Sequence, residues 1–185
     1  KRAGNTATGM KHTLDVLVED ESGARSRIAG LIDRRGYHID SLAVGPAETN
    51  GHSRLTMVVE GDEQTLQQMS KQLDKLVNVL QVLDLSQLPA VERELMLMKV
   101  SAPPEQRSAI FELVQVFRAK VVDVADDALT LEVVGDPGKL VALERLMAPY
   151  GILEIARTGK VALERASGVN TELLKAAISG GRVPA

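Results

Sequence analysis

The acidic turn at residues 19–23, Glu-Asp-Glu-Ser-Gly, is the part of this chain best suited to binding a small anion. Residues 13–18 are rich in β-branched and apolar side chains and predict a strand, which the turn ends. A helix is predicted to follow, with Ser22 as its cap and Gly23 leaving room for a ligand to approach the backbone. Unpaired N–H groups and the helix dipole favour a carboxylate or a phosphate there. Taken alone, however, the turn is more typical of an ordinary capped junction.

Residues 35–39, Arg-Gly-Tyr-His-Ile, bring a helix end and a strand start together. Gly36 is predicted to end the helix, and the next three residues to begin a strand that faces a second copy of the chain. A small amphiphilic molecule would satisfy both segments, with its carboxylate on the amides of Gly23 and Ala24 and its apolar part between subunits. An α-amino acid has this chemistry.

Other groups of reactive side chains lack the spacing that their chemistry requires. His12, His38 and His52 form no i, i+4 pair, and the chain has no cysteine, so no metal site is predicted. Residues 135–139, Gly-Asp-Pro-Gly-Lys, have the wrong glycine spacing for a phosphate loop. Acidic pairs lie in turns, where carboxylates are common, and no nucleophile elbow occurs. The sequence therefore predicts no catalytic site.

Composition indicates a globular protein that binds neither nucleic acid nor a membrane. Hydrophobic residues make up 44% and charged residues 25% of the 185 residues, as in ordinary folded domains. The net charge of -3 and the two Phe and two Tyr give neither a basic patch nor a set of aromatic side chains for stacking bases. No run of 18 apolar residues occurs, so no transmembrane helix is predicted.

One order of elements occurs twice along the chain, and it predicts an α+β protein with two tandem ferredoxin-like βαββαβ domains. Alternating apolar residues indicate the strands, and i, i+3, i+4 spacing indicates the helices. Pro103 and Pro104 are expected to open the first helix of the second copy, and Pro137 the second helix. The first copy is predicted as strand 11–19, helix 23–35, strands 37–46 and 52–60, helix 62–74 and strand 76–86. The second is predicted as strand 93–101, helix 104–117, strands 119–125 and 128–135, helix 137–148 and strand 150–157.

These elements divide the chain into four expected regions. The sheet faces away from the helices carry apolar residues at Leu17, Val44 and Val58, which predicts self-association as a dimer or a higher oligomer. The regions are a flexible N-terminal segment at 1–10, a first domain at 11–87, a second domain at 92–160, and a C-terminal tail with a short helix at 161–185.

Several segments together resemble one protein family, the small regulatory subunit of acetolactate (acetohydroxyacid) synthase. The resemblance extends from about residue 11 to 175 and is strongest to cyanobacterial and plant plastid forms. It rests on Glu-Asp-Glu-Ser-Gly at 19–23, Arg-Arg-Gly-Tyr-His-Ile-Asp-Ser-Leu-Ala-Val-Gly at 34–45, Glu-Arg-Glu-Leu-Met-Leu-Met-Lys-Val at 92–100, Phe-Arg-Ala-Lys-Val-Val-Asp-Val at 117–124 and Glu-Ile-Ala-Arg-Thr-Gly-Lys-Val-Ala-Leu-Glu-Arg at 154–165.

The resemblance implies that the first domain is a dimeric ACT domain that binds valine at its interface. It implies a non-catalytic subunit that activates the catalytic subunit and confers feedback inhibition by valine in the biosynthesis of valine, leucine and isoleucine. Thiamine diphosphate, FAD and Mg²⁺ are expected in the catalytic partner, and no cofactor is expected in this chain. The expected location is the cytoplasm for a bacterial protein and the chloroplast stroma for a plant or algal one.

The family pattern of valine-binding residues maps onto Asp20, Gly23 and His38 of this chain. Two positions depart from it: Arg25 replaces a residue that is commonly apolar, and His38 replaces an Asn. Because Asn and His present donors and acceptors in different geometries, the departures predict an altered or lost affinity for valine. The complete expected valine-binding set is Asp20, Ser22, Gly23, Ala24, Arg25, His38 and Ile39.

Two other functions stay open from the sequence. One is a self-standing ACT-type amino-acid sensor that acts through its oligomeric state. The other is an enzyme on a ferredoxin-like scaffold, which would need a cluster of polar side chains that the sequence does not reveal. The fold alone does not decide between these functions, because ferredoxin-like domains serve many of them.

Overall fold

The computed structural model describes residues 10–21, 23–35 and 37–170, with the side chains of residues 25, 33 and 34 excepted. The described residues form two compact units, one containing the chain up to Val91 together with Ala162 onward, the other containing Glu92–Val161. Both units are antiparallel sheets with two helices, which confirms the predicted α+β class and its two ferredoxin-like repeats. No helix in the described part of the chain is long and apolar enough to cross a membrane.

The first unit is a four-stranded sheet with strand order β2-β3-β1-β4. Its second helix begins where the Asp62 carboxylate accepts a hydrogen bond from the Thr65 N–H at 2.7 Å. The last strand of the repeat, predicted at 76–86, ends at Asp84, because a short 3-10 turn follows at Leu85–Gln87. The elements are β1 (Met10–Glu19), α1 (Ala24–Arg35), β2 (His38–Pro46), β3 (His52–Gly61), α2 (Glu63–Leu73) and β4 (Val79–Asp84).

One face of this sheet and the inner faces of both helices form the core of the first unit. Alternate residues of β1 and β3 point into it, and the helices contribute apolar side chains at i, i+3 and i+4 spacing. The predicted stripes on α1 and α2 are therefore confirmed. The buried residues are Leu14, Val16, Val18, Ile28, Leu31, Ile32, Leu55, Met57, Val59, Leu66, Met69 and Leu73.

The second sheet repeats the arrangement with strand order β6-β7-β5-β8, and a fifth strand, β9 (Val161–Glu164), pairs with β5. Its elements are β5 (Ala90–Ser101), α3 (Arg107–Val116), β6 (Lys120–Val124), β7 (Ala128–Gly135), α4 (Pro137–Met147) and β8 (Ile152–Arg157). Its core contains Met96, Met98, Val100, Ala102, Ile110, Val114, Leu129, Leu131, Val133, Leu140, Leu143 and Met147.

The prolines begin the two helices of the second unit in different ways. Pro137 occupies the first turn of α4 as predicted, with the Asp136 carboxylate accepting from the Lys139 N–H at 2.9 Å. The prediction that Pro103 and Pro104 open a helix at 104 is wrong, because α3 begins at Arg107. Pro104 disfavours helical backbone at Pro103, and a turn closes first, with the Gln106 N–H donating to the Pro103 carbonyl at 2.9 Å.

The start of the predicted tail, 161–185, contains a strand that the sequence did not indicate, β9 (Val161–Glu164). The Arg165 N–H donates to the Pro89 carbonyl at 2.7 Å, and its guanidinium Nε to the Ala90 carbonyl at 3.1 Å. The Ala162 N–H lies 3.4 Å from the Thr56 hydroxyl of β3. β9 thus pairs with β5, and Ala162 onward belongs to the first unit, as do the first two residues of β5, Ala90 and Val91. The predicted short helix of the tail lies outside the described residues.

The prediction that Leu17, Val44 and Val58 share an uncovered sheet face is wrong in two respects. Val58 is only 5% exposed within the single chain. Val44 pairs with Leu55 on the face that the helices cover, because the register of β2 shifts between Ile39 and Ser41. Such a bulge changes which residues alternate onto each face, and it exposes the Val44 side chain at the sheet edge.

The face of the first sheet away from the helices buries a carboxylate. Asp15 is 5% exposed and forms an ion pair with Arg54, whose guanidinium also reaches Glu48 at 3.2 Å. One Asp15 oxygen has no hydrogen-bond partner among the described residues. Burial raises the pKa of the Asp15 carboxyl, and Arg54 offsets only part of this effect.

We expect Asp15→Asn to gain stability relative to wild type as the pH rises from 3.8 through the raised native pKa of Asp15. A carboxyl with a raised native pKa binds its proton more tightly in the folded state, so wild type loses free energy of unfolding as the pH rises from the unfolded value of 3.8 through the native one. Asn does not titrate. Denaturant unfolding of both proteins at several pH values measures the difference.

Asp62→Asn is the control of opposite sign. The Thr65 hydrogen bonds lower the pKa of Asp62, so this variant should lose relative stability as the pH rises toward 3.8. If the stability of Asp15→Asn relative to wild type does not change with pH, the raised pKa of Asp15 is contradicted.

Candidate functional site

The turn between β1 and α1 has the geometry that its glycine suggested. Gly23 has a φ of +89°, a backbone conformation that L side chains rarely adopt, and α1 begins at the next residue. The first i to i−4 hydrogen bond of the helix runs from the Arg27 N–H to the Gly23 carbonyl at 2.9 Å. Asp20, Glu21 and Gly23 are exposed. The turn before the helix is thus exposed to solvent, although Ala24, the first helical residue, is buried.

The turn is held from two sides by backbone hydrogen bonds. The Asp20 N–H donates to the Gly51 carbonyl, in the loop between β2 and β3, at 2.6 Å. The Glu19 N–H donates to the Asn78 carbonyl, just before β4, at 2.9 Å. Three separate loops therefore meet at one end of the first sheet.

Of the residues predicted to bind the ligand at this turn, Ala24 and Asp20 have backbone hydrogen bonds that the structure describes. Ala24 is buried, and its N–H donates to the Glu21 carbonyl at 3.1 Å, so this amide is engaged within the turn. Asp20 is exposed beside Gly51. Ser22, Gly36 and the side chain of Arg25 lie outside the described residues.

His38 and Ile39 lie at the opposite end of the sheet from Gly23. His38 pairs with Glu60, which pairs with Lys11 near the start of β1, whereas Glu19 at its end pairs with His52. The eight steps from Lys11 to Glu19 span about 26 Å at 3.3 Å per residue. Within one chain, His38 and the Gly23 turn therefore cannot touch the same small ligand.

The two residues also point in different directions from β2. His38 is exposed on the face away from the helices, with its Nε2 4.0 Å from the Glu60 carboxylate. Beside it, the Lys11 ammonium forms an ion pair with Asp40, which raises the pKa of Lys11. Ile39 is partly buried against the core of the first unit.

Asn78 is a residue of this region that the sequence analysis missed. Its side chain is 4% exposed, its Nδ2 donates to the Glu21 carboxylate at 2.6 Å, and its Oδ1 accepts from the Arg27 guanidinium. The other Arg27 nitrogen lies 4.0 Å from the point where a Cβ on Gly23 would be. Arg27 follows Gly23 by four residues, so helical spacing would have indicated it. Asn78 gave no such signal, because it lies 57 residues from Glu21 along the chain.

Among the described residues, no group of three or more His, Asp or Glu side chains is arranged to hold a metal ion. The Gly23 turn is instead an exposed turn at the beginning of a helix, with the Arg27 guanidinium over the glycine and acidic residues beside it. This combination suits a zwitterion whose carboxylate and ammonium lie close together.

Two family models match successive parts of the chain. Residues 14–81 match the "AHAS small subunit-like ACT domain", and residues 93–166 match the "Small subunit of acetolactate synthase". The first match contains the Gly23 turn, Arg27, His38 and Asn78. The second extends through β9.

Relatives of two lengths resemble the chain. The "Acetolactate synthase small subunit 2, chloroplastic" of Arabidopsis thaliana is 56% identical over 84% of this chain and 32% of its own length. The "Probable acetolactate synthase small subunit" of Archaeoglobus fulgidus is 51% identical over 84% of this chain and 98% of its own. The chain thus spans about a third of the plant relative and nearly all of the archaeal one.

A solved structure agrees with the sequence matches. The crystal structure of the acetolactate synthase small subunit from Thermotoga maritima superposes with a TM-score of 0.78 and 40% sequence identity, covering 84% of this chain and 98% of that one. With both halves matched, and with the archaeal relative and the solved Thermotoga maritima structure aligned over nearly their full length, the chain belongs to the family of acetolactate synthase small subunits.

Proposed function

We propose that this chain is a non-catalytic regulatory subunit that activates the catalytic subunit of acetolactate synthase and confers feedback inhibition by valine. Its pathway is then the biosynthesis of branched-chain amino acids. Family membership supports the partner, since a small subunit implies a larger one. In this proposal the thiamine diphosphate, FAD and Mg²⁺ belong to the catalytic subunit, and this chain binds none of them.

The observation that carries the regulatory proposal is the split between the two halves of the expected valine site. The Gly23 turn and His38 lie at opposite ends of one sheet, about 26 Å apart. A ligand that needs both must lie between two protomers. Such a ligand senses, and shifts, the arrangement of a dimer.

A dimer formed through β2 would reunite the halves. β2 is an edge strand of the first sheet, and Leu42 on it is 43% exposed. If two β2 strands pair antiparallel about Leu42, His38 of one protomer lies opposite Pro46 of the other. Pro46 pairs with Ser53, which follows Gly51 by two residues, and the Gly51 carbonyl accepts a hydrogen bond from the Asp20 N–H. The second protomer's His38 thereby approaches the Gly23 turn.

Each expected residue has a role in this arrangement. The amides between Ser22 and Arg25 bind the carboxylate of valine, with the Ala24 N–H shared between the ligand and Glu21. Asp20 binds the ammonium group, and His38 of the second protomer closes the other side, while Ile39 anchors the start of that protomer's β2 against its core. Feedback follows if valine binds one arrangement of the dimer better than another, and a coupling of about 1 to 3 kcal/mol is sufficient.

A self-standing amino-acid sensor is the second candidate, and the exposed β2 edge favours it equally, because it would also work through its oligomeric state. Size-exclusion chromatography with and without the catalytic subunit separates the two. Only the regulatory proposal requires a stable complex.

The regulatory proposal predicts that adding this chain to a catalytic subunit of acetolactate synthase raises the rate of acetolactate formation to a plateau at a defined ratio. Valine should then lower the rate of the complex more than that of the catalytic subunit alone. The full chain is needed, since the part up to Val91 lacks the residues from Ala162 onward that also belong to the first unit. A rate independent of added chain refutes this function.

Gly23→Asp should abolish valine binding measured by calorimetry. The new side chain is strained at a φ of +89°, and its charge opposes the ligand carboxylate. Gly168→Asp is the matched control, because Gly168 also has a positive φ, of +65°, but lies far along the chain with open space around its Cβ position. Equal binding by wild type and Gly23→Asp would move the ligand elsewhere.

Leu42→Lys should weaken the dimer by tenfold or more in dissociation constant, because it introduces a charge at the centre of the proposed interface (about 1.4 kcal/mol per tenfold). Leu80→Lys on β4, the other edge strand, is matched in residue type and exposure, at 46%. Sedimentation equilibrium measures both variants. Equal weakening by the two substitutions, or by neither, contradicts an interface through β2.

A further inference from the structure

We propose that the Arg27 guanidinium provides the positive charge that binds the carboxylate of the effector, and that Asn78 is the positioning residue that keeps Arg27 available for it. The assignment rests on the proposed function, since it takes the effector to be an α-amino acid at the Gly23 turn. It adds one contact residue and one supporting residue to the expected set.

Arg27 lies in the right position for this role. Its backbone N–H closes the first turn of α1 onto Gly23, and its guanidinium returns over the same glycine, 4.0 Å from where a Cβ would be. A side chain on residue 23 would occupy this space. Glycine therefore leaves a gap bounded by a helix start on one side and a guanidinium on the other, and both favour a carboxylate.

The charge of Arg27 is also available. In the described part of the chain, no carboxylate lies within ion-pairing distance of it, although Glu21 is close by in the same turn. Both side chains contact the same amide: the Asn78 Nδ2 donates to Glu21, and its Oδ1 accepts from Arg27. The amide lies between two opposite charges that would otherwise attract each other directly.

Asn78 can do this because its own position is fixed. Its side chain is 4% exposed, and its carbonyl accepts from the Glu19 N–H at the end of β1. A neutral amide offers a donor on one side and an acceptor on the other, which neither a carboxylate nor a hydrocarbon side chain can do. Removing it should let Glu21 and Arg27 pair, and the pair would neutralise the charge that the effector needs.

Calorimetry on the full-length chain with valine and valinamide tests both roles, because valinamide keeps the side chain and the amine but lacks the carboxylate charge. Wild type should prefer valine. Arg27→Gln should bind valine about tenfold or more weakly, as expected for a lost charge-assisted hydrogen bond, and should lose most of the preference over valinamide. Arg145→Gln removes the same charge from an exposed position in the last turn of α4 in the second unit and should change neither value.

Asn78→Ala should also lose most of the preference for valine although Arg27 is intact. Adding Glu21→Gln to it should restore the preference, because the competing carboxylate is gone. A purely structural role for Asn78 predicts no such recovery. Thermal unfolding followed by circular dichroism checks that each variant is folded at the temperature of the measurement.

The outcomes separate this assignment from the proposed function. If wild type binds valine and Arg27→Gln keeps its preference over valinamide, Arg27 is not the carboxylate ligand and the regulatory function stands. If Asn78→Ala is not rescued by Glu21→Gln, the separating role of Asn78 is refuted. If wild type binds no valine, both the effector in the proposed function and this assignment are refuted.

Discussion

The unbroken pairing of β1 with β3 determines where everything else in the first unit lies. The two strands are in register along all ten residues of β1, from Met10 opposite Gly61 to Glu19 opposite His52. One end of this ladder carries the turn that leads into α1, and the other carries the start of β2. Because strands are stiff and their rise per residue is fixed, the distance between these ends is not adjustable by side-chain movement. A small ligand that contacts both ends must therefore lie between two copies of the chain.

Patterns of apolar residues close together in the sequence made most of the fold predictable. Alternation at Leu14, Val16 and Val18 and helical spacing at Leu66, Met69 and Leu73 are signals within a few residues, and they identified the strands and helices of both repeats. The glycine turn was equally visible. What the sequence did not reveal depends on partners far along the chain: the bulge in β2, the strand β9, and Asn78 between Glu21 and Arg27. The late start of α3 has a local cause, because two adjacent prolines favour a turn before the helix. The sequence did not show how long that turn is.

Polar side chains are unusually deep in the first unit. Thr13, Asp15, Thr56 and Asn78 are all buried, and the Asp15 charge is tolerated because Arg54 accompanies it. Burying a charge is unfavourable unless it is paired, so such groups specify one arrangement of their neighbours more than they add stability. In this unit they lie on the face of the sheet away from the helices and at the Gly23 end. The apolar core determines the fold, and the buried polar groups determine how the side chains around them are arranged.

The return of the chain to the first unit at Ala162 has a consequence for biosynthesis. Residues 92–161 form the second unit, so the ribosome must release all of them before the segment that contacts Thr56 and Pro89 is available. Domains usually fold in the order of synthesis, the N-terminal one first. Here the first unit can form its helix-covered core early, but it is finished last. The nascent subunit therefore spends part of its synthesis without the segment that contacts Thr56 and Pro89.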